Sequence, residues 1–130
     1  MTTSDDFDWA DYLALAQDLA STGADESRLR SAVSRAYYAG YHEALRVMSG
    51  MDSGAYGSLA NRTSGTHDRV WTWLGGRKER RLYSASQNGR RLMDKRVQAD
   101  YKAGGRWDWA KEAQQAIRTA ESIRSSLSAF

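Results

Sequence analysis

The sequence predicts an all-α protein, a bundle of four to five helices, and three observations carry that expectation. The 130 residues contain no proline, the residue that most often interrupts a helix. Apolar residues recur at the three- and four-residue spacing of a helix face in several long stretches. No stretch alternates β-branched with polar residues, and Val and Ile are sparse. One domain is expected across residues 1–130, since a chain of this length buries roughly two-thirds of its unfolded surface and folds without staples.

The first helix is expected from Asp8 to Ser21, with Trp9, Tyr12, Leu13, Ala16, Leu19 and Ala20 as its apolar stripe and Thr22-Gly23 as its stop. Asp5, Asp6 and Asp8 stand where a helix N-terminus favours negative charge. The second runs from Asp25 or Glu26 to Met48 and ends at Ser49-Gly50. Residues 50–66 are rich in Gly, Ser and Asn and read as a loop. A short helix over His67–Leu74 ends at Gly75-Gly76, and a longer one over Lys78–Lys102 is expected to loosen near Asn88-Gly89. The last, from Asp108 to Leu127, places Ala110, Ala113, Ala116, Ile117, Ala120, Ile123 and Leu127 inward.

Composition narrows the function classes. The chain has no cysteine and only two histidines, His42 and His67, with no E-x-x-H pattern, so no metal site and no disulfide is expected. No apolar run is long enough to span a membrane, and the acidic start MTTSDDFDWADY is unlike a secretory signal, so a cytoplasmic location is expected. The net charge of +3 hides a strong asymmetry. Residues 1–27 carry seven carboxylates and no base, whereas residues 77–102 carry nine bases against three acids. Arg77, Lys78, Arg80, Arg81, Arg90 and Arg91 are therefore candidates for contacting an RNA backbone. The competing reading is a solvated helix face paired with the acidic first helix. Trp71, Trp73, Trp107 and Trp109 are expected in core or interface packing rather than base stacking.

Arg35 and His42 carry the candidate chemistry. Seven residues at about 100° each return to nearly the same angle, so the two leave one face of the second helix about 10 Å apart. Ser31 and Tyr38 fall on the same line as supporting residues. Histidine titrates near neutral pH, and arginine holds a phosphoryl group through a planar fork. Those are the tools for cleaving RNA through its own 2′-hydroxyl, with no metal and no cofactor. By spacing alone, such a pair also arises in purely structural helices.

The surrounding phrase, Ser34-Arg35-Ala36-Tyr37-Tyr38-Ala39-Gly40-Tyr41-His42-Glu43-Ala44, resembles the HEPN family, in which small bacterial members carry S-R-A-Y-Y-A-x-F-H-x-A on the second helix. The family's Arg-x4–6-His motif falls on Arg35 and His42, and Arg96-Val97-Gln98-Ala99-Asp100-Tyr101 is similar to a late R-x-x-A-D-Y phrase. The resemblance covers about residues 8–127 and implies a four- to five-helix bundle of HEPN type. It also implies a homodimer whose Arg–His faces meet in one cleft, with Tyr38 or Tyr41 near the interface. The activity it implies is that of an endoribonuclease in a toxin–antitoxin, phage-defence or CRISPR-linked system, with a cognate antitoxin as a further partner. Ala36 follows the motif arginine where many active members have a polar residue. The alternative is a non-catalytic HEPN module that binds nucleotide, nucleic acid or a protein partner such as a nucleotidyltransferase.

Overall fold

The computed structural model describes residues 7–62 and 64–130. Among them the chain is all-helical and holds no strand. Six helices succeed one another: α1 (Asp11–Leu19), α2 (Glu26–Met51), α3 (Ser53–Ser58), α4 (Thr66–Gly75), α5 (Arg80–Tyr101) and α6 (Trp109–Leu127). A 3-10 turn, Leu59–Asn61, comes directly after α3. Asp5 and Asp6 lie outside the described residues.

Helix starts arise from local chemistry. The side chains of Asp25, Asp52, Glu79 and Asp108 each accept backbone N–H bonds from the first turn they precede. Arg30 does the opposite service at the far end of α5. Its Nη1 donates to the carbonyls of Gln98 (3.3 Å), Ala99 (3.1 Å) and Lys102 (2.7 Å), satisfying acceptors that a helix end leaves open.

Helix α2 is the centre of the bundle, packed against α1, α3, α4, α5 and α6. Its partners α5 and α1 run against it, while α6 runs alongside: Arg124 Nη1 donates to the Ala39 carbonyl at 2.9 Å, and Arg46 donates to the carbonyls of Leu127 and Phe130. Small buried residues permit this close approach: Ala36, Ala39 and Gly40 on α2, Ala116 and Ala120 on α6, with an added Cβ at Gly40 only 3.3 Å from Ile123. Tyr37, Trp71, Leu74, Leu82, Ile123 and Leu127 fill the core without solvent exposure.

The structure corrects two expectations. Residues 50–61 are helical rather than loop: α2 continues to Met51, and α3 and the 3-10 turn together fill residues 53–61. Asp52 holds this segment down by accepting from the Ala55 N–H at 2.9 Å and the Trp73 indole N–H at 3.3 Å, and Leu59 is buried. Helix α5 does not loosen at Asn88-Gly89 either. Gly89 is buried under the Trp71 indole, where an added Cβ would lie 2.3 Å from the ring.

Candidate functional site

Arg35 and His42 leave the same side of α2 and are both half-buried, with half-buried Tyr38 one turn between them and exposed Ser31 one turn before. The stripe does not open freely to solvent. The Trp9 indole stacks on the His42 imidazole, with ring centroids 3.4 Å apart and planes 6° from parallel. The Arg35 guanidinium lies 4.9 Å from the centre of the Tyr12 ring, a cation–π contact. Phe7, Trp9 and Tyr12 pack edge to face among themselves at 4.8–5.6 Å. These three residues therefore form an aromatic cover on the Arg–His stripe. Partial burial, and secondarily the nearby His67, pull the His42 pKa down from 6.5 to about 4, so the ring is neutral at pH 7. His42 also lines an open groove of 720 Å³ with Phe7, Trp9, Glu43, Arg46, Tyr56 and Arg124.

On the other side of Tyr38, α4 and α5 add residues that the sequence did not assign to the site. His67 stacks on Tyr41 at 4.0 Å and lies 5.8 Å from the Tyr38 ring. Its Nδ1 is 2.7 Å from the Tyr37 hydroxyl, which also accepts the Trp71 indole N–H at 3.1 Å. Burial holds the His67 pKa below its usual value, and the Arg96 cation adds to this. Arg96 points inward. Its guanidinium lies 5.3, 5.6 and 5.9 Å from the Tyr37, Tyr38 and Tyr101 rings, and 3.8 Å from the Asp100 carboxylate, which accepts from Ser34 at 3.1 Å. Its Nε is buried without a partner among the described residues.

Helical phase signals that both face inward, though not what they meet there. His67 shares the buried stripe of Val70, Trp71 and Leu74, and Arg96 that of Leu92 and Ala99. Tyr41 is 5% exposed and packed inside its own chain, whereas Tyr38 is half-buried. Asp100 braces α5 against α2, whereas Tyr101 is 72% exposed.

Apart from Arg96, the basic segment is held elsewhere or exposed. Arg90 pairs with Asp68 at 2.5 Å, Arg81 with Glu79 at 3.1 Å, and Arg77 stacks on Trp73 and donates to its carbonyl. Arg91 donates to Asn88; Arg91, Lys78 and Arg80 are exposed. The paired acids thus come from α4 and the α5 cap rather than from α1. Trp71 and Trp109 are buried, and Trp73 and Trp107 half-buried, in keeping with packing roles. Among the described residues no three His, Asp or Glu side chains are grouped to hold a metal ion, and no helix is long and apolar enough to cross a membrane. No family model, curated protein or solved structure matches the chain.

Proposed function

We propose that the chain is a metal-independent endoribonuclease of HEPN type, acting as a homodimer on RNA in the cytoplasm within a toxin–antitoxin, phage-defence or CRISPR-linked system. The observation that carries this reading is the convergence of Arg35, Tyr38 and His42 on one side of α2, inside the phrase that resembles the family. Neutral His42 takes the proton of a 2′-hydroxyl as the 2′-oxygen bonds to phosphorus. The bond from phosphorus to the 5′-oxygen breaks, and the proton ends on that 5′-oxygen. Arg35 holds the phosphate oxygens as charge builds on them. The products are a 2′,3′-cyclic phosphate and a 5′-hydroxyl. Trp9 covers a face of the imidazole, whereas proton transfer runs through the nitrogens at its edge.

A second reading is favoured by a specific observation. A histidine drawn to about pKa 4 and an arginine laid on Tyr12 suit a non-catalytic module that binds nucleotide, nucleic acid or a protein such as a nucleotidyltransferase. Incubation with total RNA in EDTA separates the two. The ribonuclease reading expects cyclic-phosphate ends, a drop of about 10²–10⁴-fold for His42→Ala, a comparable drop for Arg35→Ala, and poor rescue by Arg35→Lys. Cleavage by folded His42→Ala equal to the parent's leaves the binding module as the function.

A further inference from the structure

The chain contains two histidines, 25 positions apart and on different helices, and both come to the same pair of tyrosines. His42 lies 6.3 Å from the Tyr38 ring and 5.7 Å from that of Tyr41, and His67 lies 5.8 and 4.0 Å from the same two. The hydrogen bonds around His67 fix which nitrogen carries its proton. An indole N–H only donates, so Trp71 occupies the Tyr37 oxygen as an acceptor. Burial raises the pKa of the Tyr37 hydroxyl well above its usual value, so it keeps its proton. That single proton is then given to His67 Nδ1, the remaining partner of the hydroxyl. The neutral imidazole accordingly carries its hydrogen on Nε2.

Protonating Nδ1 as well would turn the Tyr37 proton away with Tyr37 itself fully buried, which costs an unsatisfied donor. The relay from Trp71 through Tyr37 therefore keeps His67 a fixed, neutral N–H donor. Its Nε2 has no hydrogen-bond partner among the described residues and is not among the sealed-off atoms. The charge that acts on this ring is Arg96, which is paired with Asp100, and Arg35, one turn of α2 before Tyr38, faces an aromatic ring rather than a carboxylate. The balance favours an anion.

We infer that His67 is a second substrate-contacting residue of the Arg35–His42 site, presenting Nε2–H to a phosphate oxygen of the bound RNA. This rests on the ribonuclease reading. It also means that one chain supplies two imidazoles, on either side of Tyr38, with separate duties: His42 moves the proton and His67 holds the phosphate.

The test uses the full chain, a natural RNA substrate and a short single-stranded 2′-O-methyl oligoribonucleotide, which lacks the nucleophile and binds without being cut. Nitrogen NMR of the parent at pH 7 should report His67 as the Nε2–H tautomer, and that resonance should move on titration with the oligonucleotide. His67→Asn, which keeps an amide near Nδ1 and removes the outer donor, should lose about tenfold or more in cleavage, the scale of one hydrogen bond to a charged oxygen. His67→Gln places an N–H near the position of the former Nε2 and should recover part of it. If both variants melt early, the titration of the parent decides.

A His42 resonance that moves while His67 stays still, or His67→Asn cleaving like the parent, overturns the inference and leaves the ribonuclease reading standing. No cleavage by the parent, with His67 still shifting, overturns the ribonuclease reading and keeps the phosphate contact. If neither resonance moves, both are overturned.

Discussion

At the scale of single residues, the Trp9–His42 stack is the contact with most consequence for chemistry. An imidazole pressed on an indole loses water from one face, and water is what stabilises its charged form, so protonation becomes harder. The effect on stability has a definite sign. The folded pKa is lowered to about 4, so between pH 6.5 and 4 the unfolded chain binds more protons than the folded one. Stability is fully present above pH 6.5 and is lost as the pH falls through this window; His67, also lowered, acts in the same direction. The melting temperature should therefore drop from pH 7 to pH 5, and Trp9→Ala should flatten that drop. The His42 ring protons, followed by NMR, should titrate near pH 4 in the parent and closer to 6.5 in Trp9→Ala. Unchanged His42 titration would show that the indole does not set the ring's environment. The Arg35–Tyr38–His42 line was legible from spacing because three residues of one helix need no tertiary information. His67 and Arg96 were not, because what brings them to Tyr38 is the packing of α4 and α5 on α2.

At the scale of helices, two glycines in helical backbone make opposite predictions. Gly89 lies against the face of Trp71, and an added methyl would stand 2.3–2.5 Å from three ring atoms. The helix gains about 1 kcal/mol in propensity from Gly→Ala, but overpacking a core costs about 1–3 kcal/mol or more. Here the indole N–H is tied to Tyr37 and the Trp71 backbone carbonyl to the Ser86 hydroxyl, so Gly89→Ala should lower the melting temperature. Gly50, near the end of α2, has nothing within 4 Å of an added Cβ, so Gly50→Ala should raise stability by about 0.4–1 kcal/mol. Chemical denaturation of both variants checks the pair, and equal signs would contradict the packing described for Trp71. The same two glycines explain what the sequence misread. Ser49-Gly50 looks like a helix stop and Asn88-Gly89 like a weak point, yet in each case neighbours outside the local sequence decide. Asp52 and Leu59 anchor the Gly- and Ser-rich stretch, and Trp71 needs the space that Gly89 leaves.

For the whole molecule, the fold class was plain in the proline-free sequence and its periodic stripes, but the order of packing was not. A stripe such as that of α1 states that a face must be covered without stating by what, and here Trp9 and Tyr12 settle on His42 and Arg35. Charge behaves similarly. The basic segment looks uniform as a string, yet Arg90 and Arg81 are engaged by Asp68 and Glu79 while Arg80 and Arg91 project from the outward side of α5. If the segment steers RNA, replacing Arg80 and Arg91 with Ala should lower the slope of log affinity against log salt by about 0.7 for each phosphate of a single strand that is no longer neutralised. Replacing Arg90 should instead cost mainly stability. Filter binding over a salt series reads the first and thermal melting the second. An unchanged salt slope in the Arg80/Arg91 double variant assigns the segment to solubility.

The indole resting on His42 also makes the molecule its own optical gauge. Of the five tryptophans, Trp71 and Trp109 are sealed in the core, Trp73 leans on Arg77 and Trp107 on Lys95; Trp9 is the fluorophore in contact with the candidate base. Imidazolium quenches indole emission and neutral imidazole does so far less. A variant keeping Trp9 as its lone emitter therefore reports, as light and in real time, both the protonation of His42 and the moment at which anything displaces the ring that covers it.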